Sequence, residues 1–243
     1  MLSAPIPLSS DEAAYFLKLF RRARYHVLND AEDFRSICSA LEELGCRLKG
    51  QNLRSLSRYK NVLSGIVPSC LEKEFKISFN MVVSARNEAS HRGVFARNLA
   101  NKSLRLCIAV EEGLRGMIKK VRHLMSENIV VIEPFFSLAK VREIMLENSF
   151  SYLPIMRNGK YYFLGDYDVA KIWHANRNND DFRYNTRIEN CIAEKELLPA
   201  HEFLADDEID AIIEKIKDRP ALVFNGTDES RYLVGILAPF DLL

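Results

Sequence analysis

A chain of 243 residues, 48 % hydrophobic and 28 % charged, has enough apolar surface for one large domain or two ordinary ones. That balance excludes wholesale disorder, and Gly 10 with Pro 8 excludes a collagenous or linker-dominated chain. A net charge of +1 excludes a globally basic nucleic-acid coat, although positive charge can still gather on one face.

The first half is helical in pattern almost throughout. Ser9-Ser10-Asp11-Glu12 offers cap residues, and Ala14, Phe16, Leu17, Phe20 and Ala23 follow at helical spacing. A second start is expected at Asn29-Asp30, with Phe34, Ile37, Leu41 and Leu44 on one stripe and Gly45 and Gly50 interrupting or loosening it. Leu53, Leu56, Val62, Leu63 and Ile66 form another series that stops before Pro68. A long pattern from Leu71 (Phe75, Ile77, Phe79, Val82, Val83) runs into Ala85 and Arg86, and a last helix follows Gly93 through Leu99, Leu104, Leu106, Ile108, Val110 and Leu114. Four or five such helices predict an all-α bundle over residues 1–117.

From residue 118 the pattern changes to short β-branched runs alternating with amphipathic helices. Ile129-Val130-Val131-Ile132, Tyr152-Leu153-Pro154-Ile155 and Tyr161-Tyr162-Phe163-Leu164 are the expected strands. An internal repeat underlies the alternation. Leu138, Val141 and Met145 recur as Ile209, Ile212 and Ile216, 71 residues later. Each helix precedes a segment with proline among apolar residues, then a polar Gly turn, then an apolar strand. The strand ends lead to Asp168 in Gly165-Asp166-Tyr167-Asp168 and to Asp241 in Ala238-Pro239-Phe240-Asp241. The repeats span about 123–175 and 190–243.

This ordered repetition resembles a tandem pair of cystathionine-β-synthase-type (CBS) domains, so residues 118–243 are expected to form an α/β CBS-domain pair. The resemblance implies a disc-shaped unit with two clefts for adenine nucleotides or adenosyl compounds. It assigns the ribose hydroxyls to Asp168 and Asp241, because a carboxylate can accept from two neighbouring OH groups. The sequence departs from the family where a hydroxyl residue usually stands, at Gly165 and Ala238. An ordinary helix-capping role for the two aspartates is the alternative.

One constellation in the helical half carries chemistry: Ser84-Ala85-Arg86-Asn87-Glu88-Ala89-Ser90-His91. Asn87 and His91 are four apart, hence on one face of a continuing helix. An imidazole can exchange protons near neutral pH, and a guanidinium can hold a phosphoryl group with forked donors. In its helical setting the motif resembles the higher-eukaryote-and-prokaryote nucleotide-binding (HEPN) family, whose Arg-x(4–6)-His signature Arg86, Asn87 and His91 meet. The resemblance implies a metal-independent endoribonuclease with a site formed where two protomers meet, although some members have lost activity. Arg92, Arg97, Lys102 and Arg105 are candidate RNA contacts or, equally, a solvated face.

The N-terminal ten residues lack the basic and apolar regions of a secretory signal, and no window approaches the roughly 18 apolar residues of a membrane span. Five scattered cysteines, none at C-x-x-C spacing, suit a reducing cytoplasm and offer no metal site. The expectation is a cytoplasmic homodimer acting on RNA without a catalytic cofactor, regulated or dimerised by a pair that takes an adenosine derivative. The two resemblances together suggest a place in stress response or phage defence. The rival reading is a non-enzymatic adenine-nucleotide sensor or adaptor with a helical dimerisation domain.

Overall fold

The computed structural model describes residues 5–31, 33–87, 93–216, 219–227 and 230–243. The chain divides into two units, Met1–Lys119 and Lys120–Leu243.

In the first unit, helix α1 (Ser10–Asn29) opens on a reciprocal cap. The Ser9 hydroxyl accepts from the Glu12 N–H at 3.2 Å, and the Glu12 carboxylate accepts from the Ser9 N–H at 2.8 Å. Phe16, Leu17, Phe20 and Val27 bury its inner stripe. The helix continues to Asn29 because the Asp30 N–H still donates to the His26 carbonyl at 2.8 Å. Asn29-Asp30 therefore ends α1 and does not open the next helix, correcting the expected start. Helix α2 (Arg35–Lys49) begins beyond Asp33 and runs straight through Gly45. That glycine does not interrupt it. It admits the ring of Tyr59, which a Cβ at position 45 would meet at 2.5 Å.

A short 3-10 turn over Leu56–Tyr59 leads into α3 (Lys60–Ser64), then α4 (Glu72–Asn87) and α5 (Gly93–Arg115). Helix α5 packs on both α1 and α4, burying Leu106, Val110 and Leu114 on its own side and Phe75, Phe79 and Val82 on α4.

The second unit carries the repeat. Helix α6 (Leu138–Asn148) is capped by the Ser137 hydroxyl and feeds the hairpin β1 (Tyr152–Arg157) and β2 (Lys160–Gly165). Asn158 and Gly159 both take positive φ in its turn, the geometry that a two-residue hairpin favours. Helices α7 (Asp166–Ala175), α8 (Asp180–Asn185) and α9 (Ile188–Cys191) follow. The guanidinium groups of Arg142 and Arg183 lie over the ring of Trp173 of α7, at 4.7 and 4.8 Å, so cation–π contacts tie α6, α7 and α8. Strands β3 (Leu198–Pro199) and β4 (His201–Leu204) precede α10 (Ile209–Ile212). The hairpin of β5 (Ala221–Asn225) and β6 (Tyr232–Leu237) then ends in a 3-10 turn over Pro239–Leu242.

Among the described residues the strands form two three-stranded sheets, in the orders β1-β2-β3 and β4-β5-β6. Each repeat borrows an edge from the segment leading into the other. Phe163 of β2 pairs with Leu198, and Ile236 of β6 pairs with Ser126. Phe163 and Ile236 stand 73 residues apart along the chain and their partners Ser126 and Leu198 stand 72 apart, so the repeat seen in sequence is also a repeat of pairing.

The expected strand at Ile129–Ile132 shrinks to a single parallel bridge, Ile132 to Ile155, in which the Ile132 N–H donates to the Pro154 carbonyl at 2.9 Å. The next bond of that ladder would need an N–H on Pro154, which proline lacks. In the second repeat the proline precedes the strand, and β4 pairs with β5 over four residues, His201 to Leu204.

Packing against backbone leaves no slack at Gly113 in the helical unit. A Cβ at Gly113 of α5 would stand 2.0 Å from the carbonyl oxygen of Ile66. Gly113→Ala is expected to lower the stability of the helical unit by roughly 1–3 kcal/mol or more in urea denaturation, as overpacking does. An unchanged midpoint would contradict this close approach.

Candidate functional sites

Beyond β6, Ala238 stays extended and Pro239 starts a 3-10 turn that brings Asp241 back toward the strand end. The Ala238 N–H donates to Asp241 Oδ2 at 2.8 Å, which fixes the half-buried carboxylate. A second wall comes from Ser126 to Val130, pinned to β6 by Ser126 N–H to Ile236 O at 2.8 Å and Ile236 N–H to Ser126 O at 3.0 Å. The third wall is the exit from α6. Ser149 ends that helix in the left-handed region, φ 55, and turns Phe150, Ser151 and Tyr152 into the opening.

These walls enclose a cavity of about 420 Å³, within the range of small-molecule sites. Val130, Pro154, Ile236 and Phe240 supply apolar surface, Ser126, Ser149 and Ser151 supply hydroxyls, and Asp241 supplies a carboxylate. Such a lining suits a flat apolar group joined to a polyhydroxyl one. Asp168 occupies the matching place in the first repeat, at the third residue of α7, where its charge faces the positive end of the helix. A Cβ at Gly165 would stand 3.3 Å from Asp168 Oδ2, so the carboxylate lies against the strand end there too.

In the helical unit, Arg86 sits in the last turn of α4, and its fork is occupied. Nη1 donates to Glu42 Oε1 at 2.6 Å and Nη2 donates to Glu42 Oε2 at 3.1 Å. The Glu42 carboxylate raises the already high pKa of this guanidinium. One turn back on α2, burial pushes the Cys38 thiol up to about 11, so it is no nucleophile at neutral pH.

Arg86 borders a groove of about 950 Å³ between α1, α2 and residues 52–59. Hydrogen bonds engage acids of its lining. Arg47 Nη2 donates to Glu12 Oε2 at 2.8 Å, and the Tyr15 hydroxyl donates to Glu43 at 2.7 Å. The lining is of mixed charge: Asp11, Glu12, Glu42 and Glu43 face Arg47, Arg54 and Arg86.

Of the other expected site residues, Asn87 ends α4, while its side chain and that of Arg97 lie outside the described residues, as do His91 and Arg92 altogether. Lys102 is half-buried on α5, and Arg105 pairs with Glu74 across to α4 at 2.7 Å. Sequence reasoning missed Glu42, which stands 44 residues from Arg86 and has no local signal. It also missed that Ser126–Val130 and Ser149–Pro154 come together as walls of one cavity. Among the described residues no group of three His, Cys, Asp or Glu side chains is placed to hold a metal ion, and no helix is long and apolar enough to cross a membrane.

Residues 121–165 match the family model of the CBS domain, so a CBS domain lies in the C-terminal unit. Solved structures similar to the chain include CBSX2 in complex with AMP, at 17 % identity over 51 % of this chain and 92 % of that one, with a TM-score of 0.36. A hemolysin-like protein containing a CBS domain from Oenococcus oeni is similar at 14 % identity over 51 % and 87 %, with a TM-score of 0.39. The CBS domain of a bacterial CNNM/CorC family Mg2+ transporter in complex with ATP is similar at 14 % identity over 51 % and 83 %, with a TM-score of 0.40. No curated protein matches the chain.

The groove yields a pH test. Hydrogen bonds from Arg47 and from the Ser9 backbone hold the Glu12 carboxyl at about 2, against an ordinary 4.5. A depressed carboxylate contributes stability that is present above 4.5 and lost as the pH falls toward about 2. The melting temperature of Arg47→Ala should therefore lie below that of the unaltered chain at neutral pH, and the gap should close across that window. A gap that widens on acidification would contradict the pairing.

Proposed function

We propose that the C-terminal unit is a sensor that takes an adenosine derivative in the cleft beside Asp241, and that the ligand governs a homodimer through the pair. The observation that carries this reading is the cleft itself: a fixed carboxylate at one end of an apolar, hydroxyl-fringed cavity of about 420 Å³. Two of its three walls belong to the segment that matches the CBS family model. The base would lie among Val130, Pro154, Ile236 and Phe240, with the ribose hydroxyls donating to the Asp241 carboxylate. Asp168 is the corresponding acceptor for a ligand in the first repeat.

Calorimetric titration with adenosine, AMP, ATP and S-adenosylmethionine tests the reading directly. At least one should bind, and Asp241→Asn should weaken it by about 1–3 kcal/mol, the cost of leaving buried polar groups short of a partner. Failure of all four to bind, or undiminished binding by Asp241→Asn, would overturn it.

A second reading is favoured by the position of Arg86 at the end of α4, bordering a groove of about 950 Å³. In it the helical unit is a HEPN-like, metal-independent endoribonuclease. His91 takes the proton of a ribose 2′-OH as that oxygen attacks the adjacent phosphorus. The bond from phosphorus to the 5′ oxygen breaks, the leaving oxygen is protonated, and a 2′,3′-cyclic phosphate remains. Arg86 offsets the charge on the phosphoryl oxygens, and Asn87 orients the imidazole or the phosphate. Arg92, Arg97 and Lys102 would line the path of the strand. Arg105 would have to leave Glu74 to join them. Incubation with RNA in EDTA should give cyclic-phosphate ends, lost in His91→Ala and Arg86→Ala and strongly reduced in Arg86→Lys. Cleavage that disappears with chelator, or persists in His91→Ala, would contradict this reading.

A further inference from the structure

A guanidinium presents its two terminal nitrogens as a fork whose spacing matches the two oxygens of a carboxylate or of a phosphate. In Arg86 both terminal nitrogens are already engaged, by the two oxygens of Glu42 at 2.6 and 3.1 Å. A phosphate reaching the same end of the fork must displace that carboxylate, because the two anions would share the same N–H groups. The neighbouring acids of the groove are less available to Arg86. Glu12 is held by Arg47, and Glu43 accepts from Tyr15. Glu42 is thus the anion that holds this end of the Arg86 fork, so a phosphate that takes the two terminal nitrogens together must replace it.

The pair is exchangeable. Its side chains keep 38 % and 33 % of their exposure, so solvent screens the attraction and the contact belongs with weak surface ion pairs. A buried pair would commit Arg86 to structure, whereas this one yields to a better anion.

We propose that Glu42 acts as a competing anion on Arg86, occupying in the RNA-free protein the seat that an RNA phosphate takes on binding. This rests on the endoribonuclease reading and adds to it a residue that restrains the site. Glu42 is not a catalytic residue, since it acts only through Arg86. Removing its charge frees the fork, and RNA is then held more tightly.

The test uses the full-length chain and a short fluorescein-labelled 2′-O-methyl oligouridylate, which lacks the attacking hydroxyl and cannot be cut. Fluorescence anisotropy should give Arg86→Ala a weaker affinity than the unaltered chain. Glu42→Gln should bind roughly two- to fivefold more tightly, the range that an exposed ion pair spans. Glu42→Gln placed in Arg86→Ala should give no gain. Glu43→Gln removes the same charge from the same groove without touching Arg86, so any gain it gives should survive in Arg86→Ala. Circular dichroism should confirm that each variant is folded, and Glu42→Asp, which keeps the charge, should bind like the unaltered chain if Gln has disturbed the helix. The proposal is overturned if Glu42→Gln fails to tighten binding, or if its gain persists without Arg86. In both cases a weakened Arg86→Ala leaves the endoribonuclease reading standing. If Arg86→Ala binds as well as the unaltered chain, that reading falls and the proposal falls with it.

Discussion

The C-terminal unit depends on one constraint: backbone N–H and C=O groups at a sheet edge must find partners. Neither hairpin of the repeat satisfies its own outer edge. The β2 edge is completed by Leu198 and Pro199, and the β6 edge by Ser126, each drawn from the stretch that leads into the opposite repeat. The two repeats are therefore joined by backbone pairing in both directions. The same exchange builds the cleft, since it holds Ser126 to Val130 beside the strand end from which Asp241 projects. The candidate binding site is thus a by-product of edge pairing, and its geometry is as firm as the sheet.

In the helical unit a different device recurs. Adjacent helices are clipped by arginine–glutamate pairs: Arg47 to Glu12 between α2 and α1, Arg86 to Glu42 between α4 and α2, Arg105 to Glu74 between α5 and α4, and Arg24 to Glu111 between α1 and α5. Such pairs contribute little free energy where solvent reaches them. The buried stripe from Phe16 to Phe20, with Leu41, Leu44 and Val110, supplies far more through its apolar area. What the pairs supply is register between helix faces. Arg86 belongs to this pattern and also to the proposed chemistry, so the same side chain is asked for two uses.

Local signals in the sequence were read well where the physics is local. Capping at Ser9 and the helical stripe of α1 appear in the structure, and α4 and α5 form with Ile77 and Ile108 of their expected series exposed. Ile209, Ile212 and Ile216 are buried like Leu138, Val141 and Met145, although α10 ends at Ile212 and leaves Ile216 outside the helix. Misreadings arose where a distant residue decides. Gly45 reads as a helix breaker until the ring of Tyr59 explains it, and Ile129–Ile132 reads as a strand until Pro154 denies it a ladder. Aspartates 168 and 241 could be singled out because the repeat places them. The walls that make a cavity around Asp241, and the glutamate that engages Arg86, are contacts between remote segments. No periodicity announces them.

The central claim is that the cleft beside Asp241 is a ligand site. A crystal structure of the full chain grown with a saturating adenosine compound tests it most directly. The account predicts electron density between Pro154, Ile236 and Phe240, with the two ribose hydroxyls within hydrogen-bond reach of the Asp241 carboxylate. Density for the compound elsewhere on the chain, with that cleft holding only water, would contradict it.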